Sequence, residues 1–173
     1  MFATIYLPNF YLQAALRHQT ELEGKAVALI DDQAPKAVLI ELNQAAHDVG
    51  VRAGMTPSQG LARYLSLIVK ARTRAQEKLL GELLLHFGST LAPYLEATGP
   101  GLCTVQFTNM KNWQRNVAYV VDQLAETYVT AQVGIAHTPD ASFLAAHLAK
   151  PILQIDDAKN FLAPLPIETL ALG

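Results

Sequence analysis

Two pairs of adjacent acidic residues and two histidines are among the side chains of this sequence that could bind a metal ion. Asp31-Asp32 ends an apolar run and Asp156-Asp157 precedes a short helical segment, so turn formation and helix capping account for both pairs. A metal site at Asp31-Asp32 would need further ligands, and the pattern indicates none. The spacing of His137 and His147 matches no helical metal-binding pair. We therefore expect no metal ion and no cofactor at these residues.

The composition indicates a globular protein. The 173 residues are 51% hydrophobic, which suffices for one domain or two small lobes, and the net charge of −2 does not suggest a polyelectrolyte. The single cysteine, Cys103, excludes an internal disulfide and a multi-cysteine zinc site. The N-terminus lacks the pattern of a signal peptide, and no stretch is apolar enough to span a membrane. We expect a cytoplasmic protein that does not contact membranes.

The first stretch of the chain places side chains at a strand-to-helix turn, which is a common position for catalytic groups. Ala3–Leu7 is a short apolar run typical of a strand, Pro8 ends it, and Asn9 is a suitable N-cap for the following helix. The residues at the turn are Tyr6, Pro8 and Asn9. None of them is a carboxylate, a thiol or a histidine.

Alternating and helical apolar patterns predict the remaining elements. The further strands are predicted at Lys25–Ile30, Ala37–Glu41, Leu67–Ala71, Tyr94–Thr98, Leu102–Phe107, Thr130–Ile135 and Ile152–Ile155. Helices are predicted after Asn43, after Thr56-Pro57, after Thr73, from Trp113 to Tyr128, and after Thr138-Pro139. We expect Leu79 on the core face of the helix after Thr73, and Tyr128 on that of the helix from Trp113. Asp156 is the predicted cap of a final turn.

The order of these elements predicts an α+β fold. Without Asn9–Ala71, the chain reads strand, helix, strand, strand, helix, strand, which is the ferredoxin-like βαββαβ order. The segment Asn9–Ala71 is then an inserted α/β lobe. In this topology the first strand is central and antiparallel to the third. Its C-terminal end should therefore meet the turn at Gly99–Gly101.

Several motifs in this order resemble the palm and fingers of Y-family (lesion-bypass, UmuC-like) DNA polymerases, and in particular the ImuB-type members. The matching segments are Phe10-Tyr11, Gly24-Lys25 with Val27, Asn43–Ala46, Gly50–Met55 (GVRAGM), Val133–Ala136 (VGIA) and Ala145–Pro151 (AAHLAKP). Phe161–Leu170 resembles the entry to the thumb of that family. The resemblance implies a palm at residues 1–9 and 72–158, fingers at 10–71 and the start of a truncated thumb at 159–173.

The resemblance also implies that the metal site of the family is degenerate here. The first metal-binding aspartate of the family falls at Tyr6, and the second acidic position of that motif falls at Pro8. The Asp-Glu pair at the start of the third palm strand falls at about Gly101 and Leu102. Phosphoryl transfer depends on metal ions and cations that neutralise charge. We therefore expect no catalytic residue, no metal and no polymerisation.

The nucleotide site of the family is equally altered. Its triphosphate-binding tyrosine and arginine fall at Gln44 and His47, and its triphosphate-binding lysine falls at Phe143. Tyr11 stands at the position of the aromatic gate against ribonucleotides. We expect Tyr11 to be a core aromatic here, and not a working gate.

One segment is strongly basic and is a candidate for DNA contact. Residues 49–76 contain five basic and no acidic residues, a net charge of +5, whereas the segments before and after it carry −3 and −4. These basic residues are Arg52, Arg63, Lys70, Arg72 and Arg74. The simpler interpretation is a solvated surface, and the alternative is a weak contact with primer-template DNA.

The resemblance to ImuB-type proteins implies a scaffold function in translesion synthesis and damage-induced mutagenesis. The implied partners are a sliding clamp, an ImuA-type protein and an error-prone replicative-type polymerase, mostly through regions outside this sequence. Two alternatives are an active nucleotidyltransferase with displaced metal ligands and a small-molecule-binding α/β domain. Carboxylates near Tyr6 would favour the first alternative, and a deep apolar pocket without a basic groove would favour the second.

Overall fold

The structure is a computed structural model that describes residues 1–108 and 111–166. These residues contain eight strands: β1 (Phe2–Tyr6), β2 (Val27–Ile30), β3 (Leu39–Leu42), β4 (Ile68–Ala71), β5 (Tyr94–Gly99), β6 (Leu102–Gln106), β7 (Gln132–Ala136) and β8 (Ile152–Gln154). The α-helices of this part of the chain are α1 (Phe10–Leu16), α2 (Gln44–Asp48), α3 (Pro57–Arg63), α4 (Arg74–Leu91), α5 (Trp113–Glu126), α6 (Pro139–Leu148) and α7 (Ala158–Leu162). A 3₁₀ turn follows α1 at Thr20–Leu22.

The chain forms two compact units. The first contains Met1–Pro8 and the chain from Gly81 onward, and the second contains Asn9–Leu80. The later boundary lies inside α4, whereas the sequence analysis placed it between residues 71 and 72. A helix can pass from one unit to the next without interrupting its hydrogen bonds, so the sequence carries no turn signal there.

A five-stranded sheet forms the first unit, in the order β5-β6-β1-β7-β8. The central strand β1 is antiparallel to both β6 and β7. Together with α4 and α5, the first four of these strands give the predicted ferredoxin-like order, so the predicted fold class is confirmed. The helix α6 then adds β8 in parallel to β7, as expected for a βαβ connection.

Alternation along β1 builds the core of the first unit. Ala3, Ile5 and Leu7 are fully buried on one face of the sheet. The buried face of α5 consists of Trp113, Val117, Val120, Val121 and Leu124, as its apolar spacing predicts. Tyr128 was wrongly placed on this face. It follows the end of α5 in a left-handed conformation (φ 62°) and its side chain is exposed.

A three-stranded sheet in the order β3-β2-β4 forms the second unit. β2 and β3 make the predicted antiparallel hairpin, and β4 is parallel to β2. One face of β2 packs against α1 through Val27 and Leu29, and its other face contributes Ala28 to a second apolar cluster. Because β2 is buried on both faces, it reads in the sequence as a continuous apolar run.

Three local predictions were wrong. Asn9 has a left-handed backbone (φ 50°, ψ 53°) and its side chain caps nothing, because capping needs an extended backbone. Leu79 lies on the solvent side of α4 and is 52% exposed, whereas Leu80 and Leu84 are buried. Asp157 and not Asp156 caps α7, by accepting a hydrogen bond from the backbone N–H of Asn160.

Two further predictions concern the ends of the chain and membranes. The end of the thumb-like segment, residues 167–170, lies outside the described residues. Within the described residues, no helix combines the length and the apolar character needed to cross a bilayer.

Candidate functional site

The end of β1 and the start of β6 meet at one corner of the five-stranded sheet. Tyr6 lies opposite Leu102 in the antiparallel register. The backbone N–H of Leu7 donates a 2.8 Å hydrogen bond to the carbonyl of Gly101, whose φ of +70° turns the chain into β6. The topology therefore brings Tyr6, Gly101 and Leu102 together, as the ferredoxin-like order predicts. That these residues stand at the positions of the family's metal ligands stays a prediction.

An aromatic cluster surrounds Tyr6 at this corner. Its ring stacks on the imidazole of His147, with centroids 4.1 Å apart and an interplanar angle of 25°. The ring of Phe143 lies 4.4 Å from the same imidazole. His147 Nδ1 is 2.9 Å from the carbonyl oxygen of Phe143, so the tautomer with a proton on Nδ1 donates a hydrogen bond there. We call Tyr6, Phe143 and His147 the aromatic cluster.

The close approach of α6 to the sheet creates this cluster. A Cβ atom on Gly134 in β7 would lie 2.1 Å from the backbone nitrogen of Ala146 and 2.2 Å from the carbonyl oxygen of Ser142. Only glycine therefore allows α6 to lie this near to β7. The cap of α6 is the predicted one, since the side chain of Thr138 accepts a hydrogen bond from the N–H of Ala141.

A chain of hydroxyl groups links α6 to the centre of the sheet. Ser142 donates to the carbonyl of Pro139 at 2.7 Å, so its oxygen is left to accept a hydrogen bond from Thr4 at 2.8 Å. Thr4 in turn accepts from Thr104 at 3.0 Å. Thr4 and Ser142 are fully buried, and their hydroxyls are satisfied by these bonds. The chain fixes the face of α6 that carries Phe143 and His147.

The side chains at this corner do not fit a two-metal site. Divalent cations such as Mg²⁺ prefer several carboxylate oxygens, whereas Tyr6 offers a phenol and Gly101 and Leu102 offer backbone carbonyls. No group of three or more histidine, cysteine or acidic side chains suited to a metal ion occurs among residues 1–108 and 111–166. No catalytic step through a metal ion follows from this arrangement.

In the second unit, the residues that the resemblance places at the nucleotide site contact their own neighbours. Gln44 donates a 2.7 Å hydrogen bond to Asp48 one turn along α2. His47 is exposed, and its backbone carbonyl accepts a hydrogen bond from Arg52 at 2.7 Å. Tyr11 lies beneath the guanidinium of Arg72, whose central carbon is 3.8 Å from the ring centroid. This is a cation–π contact, so Tyr11 packs against Arg72. Its correspondence to the aromatic gate of the family stays a prediction.

Glu41 is a residue that the sequence analysis missed. Its carboxylate accepts a 2.7 Å hydrogen bond from the backbone N–H of Leu12 in the first turn of α1. Burial raises the pKa of the Glu41 carboxyl above its ordinary value, while the N–H groups of Leu12 and Tyr11 act in the opposite direction. Glu41 thus performs the capping that was predicted for Asn9. No local sequence signal could reveal this contact, because Glu41 lies in β3, 29 positions after Leu12 in the chain.

Asn43 makes a further contact that the sequence did not reveal, since it joins β2 to α2. Its side-chain oxygen accepts hydrogen bonds from the N–H groups of Ala46 and Val27, both at 3.0 Å. Its amide donates to the carbonyl of Lys25 at 2.7 Å. The N-cap position was predictable from the sequence, but the bridge to the preceding strand was not.

Part of the predicted basic block is neutralised within the second unit. Arg72 binds Glu77 through two hydrogen bonds of 2.9 and 2.7 Å, and binds Asp31 at 2.9 Å. Arg74 also pairs with Asp31, at 3.0 Å. The hydrogen bonds that Arg72 donates to the Glu77 carboxylate raise the pKa of Arg72. The N–H of Gln33 lowers the pKa of Asp31, assisted by Arg74 and Arg72 against the effect of desolvation.

The other three basic residues have different surroundings. Lys70 donates to the amide oxygen of Gln19, Arg52 donates to the carbonyls of His47 and Val51, and Arg63 is exposed. None of these three pairs with a carboxylate of the described residues. The sequence predicted a turn at Asp31-Asp32. The carboxylate of Asp31 in this turn also forms ion pairs with Arg72 and Arg74.

The fold defines the class of α+β proteins with a ferredoxin-like sheet, here with a second α/β unit inserted after β1. The sequence profile described as the impB/mucB/samB family matches residues 5–147. The chain belongs to this family, and the resemblance to Y-family polymerases is confirmed.

Curated relatives and solved structures agree with this assignment. The DNA polymerase IV of Legionella pneumophila (strain Corby) is 25% identical over 175 residues, covering 93% of this chain and 48% of the relative. That of Shewanella pealeana is 27% identical over 172 residues, covering 91% and 47%. The chain thus spans about half the length of these relatives.

The similarity to solved structures shows the fold alone, since the identity is low. A post-insertion binary complex of Dbh DNA polymerase has a TM-score of 0.86 and 17% identity, covering 97% of this chain and 52% of that chain. DinB from Sulfolobus solfataricus has a TM-score of 0.83 and 17% identity, covering 97% and 52%.

Proposed function

We propose that this chain is the palm-and-fingers part of a non-catalytic Y-family homologue, of the ImuB type, that acts as a scaffold in translesion synthesis and damage-induced mutagenesis. Family membership supports the association with DNA damage bypass. The first unit corresponds to the proposed palm and the second to the proposed fingers. The sliding clamp, an ImuA-type protein and an error-prone replicative-type polymerase are proposed partners of the complete protein.

The observation that carries this proposal is the aromatic cluster. Two of its members, Tyr6 and Phe143, stand where the resemblance places a metal-binding aspartate and the triphosphate-binding lysine. Both rings contact the same imidazole of His147. The polar site of an active relative would thus be replaced by packed rings, which neither attract divalent cations nor neutralise a triphosphate.

An active polymerase is the second candidate function, because the curated relatives bear the name DNA polymerase IV. Such an enzyme would need a displaced carboxylate near Tyr6. Glu96 in β5 lies opposite Thr104, which shares a face of the sheet with Thr4 and Tyr6. It is the carboxylate to test. Neither the family nor the described site favours a small-molecule-binding domain.

Primer extension by the purified complete protein separates these candidates. We expect no extension with Mg²⁺ or Mn²⁺ and all four dNTPs, and no saturable Mn²⁺ binding in calorimetry. Extension should appear when the proposed partner polymerase is added. Extension by the protein alone that is lost in Glu96→Gln would establish the active polymerase and refute the scaffold proposal. Activity that is unchanged by that substitution and disappears on repurification would come from a contaminating polymerase. Activity that persists through repurification would also refute the scaffold proposal.

A further inference from the structure

The end of α3 in the second unit carries three apolar side chains on the surface. Leu61 is 37% exposed, Tyr64 is 38% exposed and Leu65 is 88% exposed. We call these three residues the α3 patch. Single exposed leucines are common, whereas larger exposed apolar patches mark interaction surfaces.

The α3 patch is held on a rigid support. The N–H of Tyr64 donates to the carbonyl of Gly60, and the N–H of Leu67 donates to the carbonyl of Tyr64, both at 3.0 Å. At the other end of α3, Thr56 and Gln59 form a reciprocal capping box. A partner therefore does not have to order this segment, which reduces the entropic cost of association.

Packing on the opposite side of α3 explains why this surface faces solvent. Gly60 is buried so closely against the core that a Cβ atom would lie 2.8 Å from Leu67 and 3.1 Å from Leu39. Gly60 is the buried residue of the helix. With that side fixed on the core, Leu61, Tyr64 and Leu65 are left on the outside.

Charge indicates the chemistry of the occupant. Arg63 precedes Tyr64 of the α3 patch in the chain and is exposed, and residues 49–76 contain no acidic residue. A second copy of the chain would bring arginine against arginine, which is unfavourable. A single-stranded nucleic acid would be expected to stack its bases on several aromatic rings, whereas the patch has one tyrosine and two leucines. A protein segment with acidic residues beside apolar ones would match both the charge of Arg63 and the apolar side chains of the α3 patch.

We infer that the α3 patch is a docking surface for an acidic amphipathic segment of another protein. The leucines and Tyr64 contact the apolar side chains of that segment, and Arg63 pairs with one of its carboxylates. Tyrosine and arginine are frequent in the energetically dominant part of interfaces. This inference does not depend on whether the protein polymerises DNA. If the inference holds, Arg63 binds a protein partner and is not one of the residues that contact DNA.

The test uses the complete protein and a fluorescein-labelled synthetic helix of leucine and glutamate with one apolar face. Fluorescence anisotropy should show saturable binding, and Leu65→Ser and Arg63→Gln should each weaken it by about tenfold. Leu79→Ser is the matched control, because Leu79 is an exposed leucine on a different helix, and it should leave binding unchanged. A helix with lysine in place of glutamate should bind at least about tenfold more weakly.

Other outcomes overturn the inference. Absence of binding would mean that the surface does not accept such a segment or that another part of the complete protein covers it. Equal weakening by Leu65→Ser and Leu79→Ser would show that binding is nonspecific. Binding of a fluorescein-labelled oligothymidylate that is lost in Leu65→Ser and Arg63→Gln would assign the patch to nucleic acid instead.

Discussion

The ring of Tyr6 in β1 stacks on the imidazole of His147 in α6, with 4.1 Å between the centroids. The contact joins the central strand of the sheet to the helix that packs on it. It is possible because Gly134 lets the backbone of α6 approach β7. The same corner of the sheet is where the family resemblance places the catalytic metal ions.

The Tyr6–His147 contact should be measurable as a coupling energy. In a double-mutant cycle with Tyr6→Ala and His147→Ala, we expect a coupling of about 0.5–1.5 kcal/mol in the free energy of unfolding, which is typical of ring pairs. Urea denaturation followed by circular dichroism measures it. A cycle of Tyr119→Ala with His147→Ala should be additive, since Tyr119 is an exposed residue of α5. Additivity in both cycles would contradict the stacking.

Gly134→Ala should be severely destabilising. The new methyl group would overlap backbone atoms of α6, which cannot move as a flexible side chain can, so we expect a loss of at least about 3 kcal/mol or failure to fold. Gly81→Ala is the control, because a Cβ atom there meets nothing within 4 Å. That helical substitution should stabilise by about 0.5–1 kcal/mol. Thermal denaturation compares the two, and similar melting temperatures would refute the close approach of α6.

Arg72 should contribute more to stability than Arg74. Arg72 is 13% exposed and binds two carboxylates and the ring of Tyr11, whereas Arg74 is 48% exposed. We expect Arg72→Met to cost about 1–3 kcal/mol, because it leaves charged hydrogen-bond acceptors without a donor. Arg74→Met should cost clearly less, because exposed ion pairs are screened by water and salt. Urea denaturation at low and high salt measures the stability loss of each variant. A larger loss for Arg74→Met than for Arg72→Met would show that the ion pairs around Arg72 do not form.

Glu41 should make stability depend on pH above the range in which Asp31 acts. Burial raises the pKa of Glu41 in the folded state above its ordinary value of 4.5, so the folded protein binds the proton more tightly than the unfolded chain. The stability contribution of this group should therefore decrease as pH rises through the folded pKa. Glu41→Gln should remove that dependence, and Glu41→Ala should destabilise at every pH, because the first turn of α1 loses an acceptor.

Asp31 has the opposite sign and a lower pH range. Its pKa is lowered in the folded state from 3.8, so its contribution is present above that value and is lost as pH falls through the folded pKa. Urea unfolding from pH 3 to pH 7.5 separates the two groups. If Glu41→Gln kept the wild-type pH profile above pH 4.5, Glu41 would not have a raised pKa.

The remaining basic residues of the block predict weak, salt-dependent DNA binding. Arg52 and Lys70 have carbonyl partners and not carboxylates, so their charges are available to phosphates. Changing both to glutamine should weaken binding of an oligothymidylate and reduce the slope of log affinity against log salt by about 0.7 per contact. Lys36→Gln, an exposed position outside the block, is the control in an anisotropy titration. An unchanged slope would show that the basic block is a solvated surface that does not contact DNA.

The sequence by itself determined the order of the elements and hence the fold. Strand and helix signals depend on short-range sterics, hydrogen bonding and apolar periodicity, so β1, the hairpin at Gly99–Gly101 and the buried face of α5 could be predicted. The ferredoxin-like topology is the one expected for the βαββαβ order, and it placed the end of β1 beside Gly101. The absence of acidic residues at Tyr6, Pro8, Gly101 and Leu102 is likewise a property of the sequence.

Only the tertiary structure decided which side chains meet. Arg72 pairs with Asp31, 41 positions away in the chain. Glu41 in β3 caps α1 by accepting from Leu12, which lies 29 positions earlier in the chain. The contact of Tyr6 with His147 likewise joins distant segments. Charges and rings interact according to their distance in space, while propensity and periodicity report only neighbours along the chain. The sequence could therefore predict where the corner of the sheet lies, and only folding determined that packed rings fill it.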